Sequence, residues 1–421
     1  MNLETCLACL RETCDPEPIA EHWDESVAAL PAKMPSWLTP GEIRAHREYC
    51  GLDASADEPL SRAAVLIWAD PALKLLAWHC YRRLYVHTDS RGFSDWPSMR
   101  AALGDLAGAL YVLVSLAMVP QVKAAHTALG VADEVTRDTC FQVECFALNY
   151  RDAHDGQWGI LLGQLFWLRH YTAGRLFRIG RFEYMIRPYH GPRAYRHERT
   201  RDVVALADDA TRFNAEGFIP IGEEHSEGDF TATLEERDGQ VIGYPISPGG
   251  MAVDQRVTLD LAQWQPGLAR GDLTLDMHIP SGGGMTPEAC RDSLTRAPAF
   301  FAATFPDRHC VGVSCVSWIY NTQFEDMLGP EANLVGHMRE LYLYPVHSSG
   351  RDGLYFLFYT DDVDPATARR DSSVRRAVLD HLAAGNRLRC GGMFTLTEDV
   401  ARYGTDHYRS RWPEVLRTLG D

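Results

Sequence analysis

The chain is short of positive charge. It carries 41 Lys and Arg against 57 Asp and Glu, a formal charge of −16. That balance excludes a general binder of nucleic acid or anionic membrane, since both need a cationic surface. Long hydrophobic runs are also lacking. The most apolar stretch, residues 106–119, is too short to cross a bilayer, contains Gly108 and Ser115, and reads as a buried helix. Met1-Asn2-Leu3-Glu4-Thr5-Cys6 has neither the basic start nor the apolar core of a secretory signal, so a cytoplasmic location is expected. The eleven cysteines are odd in number and scattered, which predicts reduced, mostly buried thiols rather than a disulfide framework. Cys6-Leu7-Ala8-Cys9 has no second pair of ligands, so no metal site is expected there. One helical turn of spacing would put both thiols on a packing face. The chain has no Gly-x-Ser-x-Gly elbow, no phosphate loop ending in Gly-Lys-Ser or Gly-Lys-Thr, no His-Glu-x-x-His, no internal repeat and no low-complexity tract.

What is present suits a soluble enzyme acting on small molecules. With 421 residues, 46% of them hydrophobic, the chain can bury two or three cores. Residues 3–174 read as helices separated at Asp15-Pro16, Pro35, Asp70-Pro71, Pro97, Pro120 and His154-Asp155-Gly156. Segments 131–150 and 157–171 are both expected to be helical, with Phe141, Cys145 and Leu148 sharing one face. Beyond Arg175 the texture changes to strands, glycine turns and a few helices, which predicts a helical domain over 1–175 and a mixed domain over 176–421. Strands are expected at 182–186, 230–234, 241–246, 311–319, 353–359 and 388–396. Asp238-Gly239 should turn a hairpin, and helices are expected to end near Thr304, to span 365–384 and to begin again near Thr397.

The most informative run is Leu273-Thr274-Leu275-Asp276-Met277-His278-Ile279-Pro280-Ser281-Gly282-Gly283-Gly284-Met285-Thr286-Pro287-Glu288. Leu273, Leu275, Met277 and Ile279 alternate with Thr274, Asp276 and His278, so the two charged residues share one face of a strand. Three glycines follow. Thr286 then suits an N-cap, Pro287 the first helical position and Glu288 the first turn. Backbone N–H groups at a helix start approached through such a loop can hold a phosphate or pyrophosphate, although three glycines also serve simply to turn a chain.

Continued as His278-Ile279-Pro280-Ser281-Gly282-Gly283-Gly284-Met285-Thr286-Pro287-Glu288-Ala289-Cys290, with Phe300-Phe301, Phe305-Pro306 and Cys315-Val316-Ser317-Trp318, this run resembles bacterial N-acyltransferases that join an all-helical N-terminal domain to a GNAT-like C-terminal domain. Gly180-Arg181-Phe182-Glu183, Gly391-Gly392-Met393-Phe394 and Tyr403-Gly404 extend the likeness over most of the second half. The resemblance implies an α+β protein whose GNAT-like domain has a central, mostly antiparallel sheet. It further implies an acyl-CoA co-substrate, acetyl or longer, no metal, and transfer of the acyl group to a small-molecule or peptide amine. Gly282, Gly283, Gly284, Met285 and Thr286 would then hold the CoA pyrophosphate. Gly282 and Gly284 match the family's loop glycines, but Ile279 stands where Arg or Gln is usual.

Transfer from a thioester to an amine needs a base for the amine and a proton for the leaving thiolate. His278 is the candidate base and Asp276 its orienting partner, while Cys315, Ser317 and Tyr320 are candidates to protonate the thiolate. Each also has a structural reading: a histidine bonded to loop carbonyls, a core cysteine. Arg175, Arg178, Arg181, Arg187, Arg193, Arg196, Arg199 and Arg201 make a basic stretch that reads first as a solvated junction and second as a site for CoA phosphates. The alternative to the enzyme is a noncatalytic ligand-binding or interaction protein on a degenerate GNAT scaffold, favoured by Ile279. Neither nucleic acid nor membrane is an expected partner, and oligomeric state is not legible.

Overall fold

The computed structural model describes residues 1–87 and 92–420 and divides into two compact units. One comprises Met1–Ile179 with Ile279–Gly283; the other comprises Gly180–His278 with Gly284–Asp421. The division after Ile179 falls a few residues beyond the change in sequence texture. The reason is local: Arg178 donates its backbone N–H to Thr139 Oγ1 at 3.1 Å, tying the short strand Phe177–Ile179 to the helical unit.

In the helical unit, prolines and acids set the helix starts. Asp70 ends helix Asp57–Ala69 and opens Pro71–Tyr85, accepting from the N–H groups of Ala72 at 2.8 Å and Leu73 at 2.9 Å, with proline at the first helical position. Helix Ala107–Leu116 is buried at every position and forms the centre of the unit. Its fully covered Leu110, Val112, Leu113 and Val114 each contribute about 1.5–3 kcal/mol of burial. The helical stretch Arg100–Ala128 is longer than the apolar run alone suggested, and by length and composition is able to cross a membrane. Yet 78% of its apolar window is buried inside the protein, as befits a core helix.

Three expectations fail here. Segment 157–171 is not one helix: only Leu162–Leu165 and Leu168–Thr172 are helical. The chain at Trp158-Gly159 is pressed against Gly108, where a Cβ would stand 2.6 Å from the Gly159 Cα, and that close passage favours extended chain. Phe141, at the break between Asp133–Cys140 and Gln142–Ala153, is 37% exposed and Leu148 is 39% exposed, whereas Cys145 is covered. None of the eleven cysteines is joined in a disulfide. Cys6 packs, its thiol donating to the Ala72 carbonyl at 3.4 Å, but Cys9 is exposed, so only one of the pair faces the core.

The second unit is built on five strands: β1 (Phe182–Pro188), β2 (Leu273–His278), β3 (Gly312–Ser317), β4 (Tyr342–Pro345) and β5 (Gly391–Leu396). They lie in the order β1-β2-β3-β5-β4, and every neighbouring pair is antiparallel except β2 with β3. Helix Pro287–Thr304 covers one face, where Ser293 Oγ accepts the Phe182 N–H at 3.1 Å and bonds the Tyr184 hydroxyl at 2.9 Å. On the other face, Tyr342, Tyr344, Phe394 and Leu396 share a core with Ala194, Ala205, Ile246 and Leu268 of a second, four-stranded sheet. The predicted hairpin forms: Arg237 pairs with Gln240, and Asp238 (φ 52°) with Gly239 (φ 77°) gives the left-handed two-residue turn.

The expected strand at 353–359 is instead a short helix, Leu354–Phe358, bounded by left-handed Gly353 and Tyr359 that break any extended run. Phe356 there is 64% exposed. The helix expected over 365–384 starts only at Ser373, where Ser372 caps it by accepting from the Arg375 N–H at 3.1 Å. Of 230–234, only Phe230–Thr231 pairs as strand.

Candidate active site

Strand register assembles the site. β1 and β2 pair along their whole shared length, with Glu183 opposite His278, Met185 opposite Asp276 and Arg187 opposite Thr274. β2 and β3 pair only from Thr274–Gly312 to Asp276–Ser314, although both strands continue beyond. β3 meanwhile stays paired with β5 as far as Ser317. The two parallel strands therefore part after Asp276 and Ser314, and the backbone at Met277, His278, Cys315 and Val316 borders an opening in the sheet.

At that opening Asp276 and His278 lie together as alternation predicts, Asp276 Oδ2 standing 3.2 Å from His278 Nε2. Both are partly exposed, and Arg187 Nε approaches the same carboxylate oxygen at 3.8 Å. Ser314 shares this face, since its hydroxyl bonds that of Thr274 at 2.8 Å. Glu183 is buried and directly opposite His278, so a second carboxylate belongs to the same strip. Glu183 and Ser314 are not visible in the sequence as site residues, and Arg187 stood there only within a basic stretch, because only the register across three strands collects them.

The register also separates residues that the sequence grouped. Cys315 and Ser317 alternate with Ser314 and so face the opposite side of the sheet from Asp276 and His278. Burial, then the nearby Asp276 and Cys390, pushes the Cys315 thiol far above its usual range. Ser317 caps the following turn, accepting from the Ile319 N–H at 3.4 Å. Tyr320 is fully buried, its hydroxyl 3.2 Å from His337 Nε2, while His337 Nδ1 lies 2.8 Å from the Tyr403 hydroxyl. Burial, and next the Arg181 charge, holds His337 down to about 3, so this chain of three rings is a neutral core network.

After His278 the chain enters the glycine turn. Ile279–Gly283 belong to the helical unit, where Ser281 Oγ donates to the Cys145 carbonyl at 3.1 Å. Gly282 and Gly283 adopt φ of 79° and 73°, a conformation that side chains resist, and Gly282, Gly283 and Gly284 are all exposed. In the second unit, Arg181 Nε donates to the Gly284 carbonyl at 3.1 Å, and Thr286 caps helix Pro287–Thr304 by accepting from the Ala289 N–H at 3.3 Å. Met285 is partly buried. Much of the basic stretch is committed elsewhere: Arg196 pairs with buried Asp399, Arg201 with Glu398, and Arg193 with Glu236 at 3.8 Å.

An antiparallel sheet whose one parallel pair splays open, followed by a glycine turn and a capped helix, defines a protein of the GNAT-like class. The GNAT-like C-terminal domain family matches residues 176–394, and the N-acyltransferase N-terminal domain family matches residues 42–174. The first match alone covers more than half of the chain, and the chain belongs to the GNAT-like N-acyltransferases: it is an acyltransferase. No curated protein matches it in sequence. Among solved structures it is similar to an acyltransferase in complex with decanoyl-CoA and teicoplanin, at 21% identity over 94% of this chain and 100% of that one, with a TM-score of 0.63. It is similar to the same degree to an acyltransferase in complex with CoA and 10C-teicoplanin, at 21% identity, the same coverage and a TM-score of 0.63. A mutant acyltransferase in complex with octanoyl-CoA matches at 21% identity over 94% of this chain and 99% of that one, with a TM-score of 0.63.

Proposed function

We propose that this chain is a cytoplasmic, acyl-CoA-dependent N-acyltransferase that moves an acyl group from the CoA thioester to an amine. The observation that carries this reading is the opening between β2 and β3 beyond Asp276 and Ser314, with the Asp276–His278 pair at its mouth. Strand edges freed there offer N–H and C=O groups to an amide-bearing chain such as the pantetheine arm of CoA. Gly282, Gly283, Gly284, Met285 and Thr286 follow directly and suit the pyrophosphate, since three residues without side chains leave backbone N–H groups approachable at the start of a helix. CoA supplies the activated thioester. His278 takes the proton from the attacking amine and gives it to the thiolate that leaves as the C–S bond breaks, and Asp276 fixes the imidazole for both transfers. Similar structures hold decanoyl-CoA, octanoyl-CoA and teicoplanin, which supports a medium-chain donor and an amine on a glycopeptide-sized acceptor.

Ile279, in place of a polar loop residue, favours the rival reading of a scaffold that has lost its cofactor. Melting temperature with acetyl-CoA, decanoyl-CoA and free CoA separates the two. At ligand about 100 times its Kd, binding stabilises by about 2.7 kcal/mol, a shift of several degrees. A shift that depends on the acyl chain, together with release of free thiol when an amine is added, is the expected result. No shift with any of the three at millimolar concentration sinks the enzyme reading.

A further inference from the structure

The helical unit contains a polar cluster with no part in the acyl-transfer scheme. His22 opens helix Trp23–Ala28 in the left-handed region, at φ 60°, Glu25 follows one turn on, and His87 lies just past helix Pro71–Tyr85. The two imidazoles stack in parallel, their centroids 3.9 Å apart and their planes within 5°. The Glu25 carboxylate reaches both rings, Oε1 standing 2.8 Å from His22 Nδ1 and Oε2 standing 3.6 Å from His87 Nε2. One ligand atom from each residue lies within 4.8 Å of the other two. Two imidazole nitrogens and one carboxylate oxygen are a donor set suited to borderline divalent cations, and with a water they make four ligands. Tetrahedral zinc ligands at about 2.0–2.1 Å from the metal stand roughly 3.4 Å from one another, so the donor atoms lie near the spacing an ion needs, and binding requires the two stacked rings to tilt toward a common point. A non-glycine residue held at positive φ is the kind of local strain that collects at functional sites.

Arg82 opposes the ion. Arg82 Nη2 donates to His87 Nε2 at 3.1 Å, so its guanidinium occupies the lone pair a metal needs and must turn aside. The sequence reading sought metal ligands at the Cys6–Cys9 pair and missed this set, because His22 and His87 are brought together only by the packing of their helices.

We propose that His22, Glu25 and His87 bind one divalent transition-metal ion, Zn2+ being the best match, and that the ion clips the start of helix Trp23–Ala28 to the end of helix Pro71–Tyr85. Its role is structural. The test titrates chelator-stripped full-length protein with Zn2+ alone, by calorimetry, and follows the melting temperature. The wild type is expected to bind one more Zn2+ than Glu25→Gln or His87→Ala, and to gain several degrees on saturation that both variants lack. Arg82→Gln should bind that ion several-fold more tightly, a gain that thiols elsewhere in the chain would not show. Glu25 is well exposed, so its variant keeps the fold even where His87→Ala does not. Equal stoichiometry and equal melting shifts in wild type and Glu25→Gln, or no Zn2+ bound by the wild type, would overturn the proposal.

Discussion

His278 stands one alternation beyond Asp276 on the same strip of β2, and that spacing sets what each substitution reports. Replacing His278 by Ala removes the proposed base while leaving the glycine turn and the strand edges in place. The expected loss is about 10²–10⁴-fold in kcat, with the melting shift on acyl-CoA retained; an unchanged rate and pH profile would make His278 structural. Gly283→Asp tests the turn. Forcing a side chain to φ 73° costs about 1–2 kcal/mol, and the added carboxylate repels a pyrophosphate, so acyl-CoA affinity should vanish while circular dichroism is preserved. The Asp276–His278 pair was legible because alternation alone decides which strand residues share a face. Cys315, Ser317 and Tyr320 were set beside it as candidate proton donors by residue type, and nothing local reveals that Asp276 pairs with Ser314, which turns Cys315 and Ser317 to the other side.

Elements were legible where capping chemistry is written in the sequence and obscure where packing overrides it. Asp70-Pro71 marks a boundary in the sequence and in the structure, because one carboxylate oxygen satisfies two N–H groups at the new helix start. Asp70→Ala should therefore cost about 1 kcal/mol in urea unfolding, without altering acyl-CoA affinity; a value near zero would mean that water replaces the cap. Leu354-Tyr355-Phe356-Leu357-Phe358 misled for the opposite reason. Its composition fits a strand, but Gly353 is turned to φ 92° where a Cβ would stand 2.7 Å from the Trp318 ring, and the chain coils instead. Gly391-Gly392 shows that a family motif can be a packing motif. A Cβ on Gly391 would stand 2.0 Å from the Tyr320 carbonyl, and one on Gly392 would stand 2.1 Å from the Tyr344 ring.

Over the whole molecule, the succession of a helical and a mixed part was readable because hydrophobic periodicity changes along the chain, but the burial of single histidines was not. His79, His126 and His337 are all buried, and burial lowers them to about 3, about 4 and about 3. His79 illustrates the cause: Nε2 donates to the Ile19 carbonyl at 2.7 Å and Nδ1 pairs with the Ser26 hydroxyl at 2.8 Å, so the neutral ring is already satisfied. In the unfolded chain each ring takes up a proton as pH falls through its ordinary value near 6.5, whereas the folded chain refuses it. The unfolded state then binds more protons, so stability is complete above that value and is lost progressively as pH falls toward the folded values. At pH 5 each group costs about 2 kcal/mol by this linkage. Glu144 acts in the other direction, because burial raises it to about 7 and acidification relieves a buried charge. Burial also raises Glu12 and Glu340 and lowers His46 and His407, which act against one another, and the three deeply shifted histidines outweigh Glu144, so unfolding free energy should fall from pH 7 to pH 5. His79→Gln tests the assignment, since an amide can donate to Ile19 and accept from Ser26 without titrating. Its urea-unfolding free energy should fall less steeply with acid than that of the wild type, and an identical slope would place the acid sensitivity outside these rings.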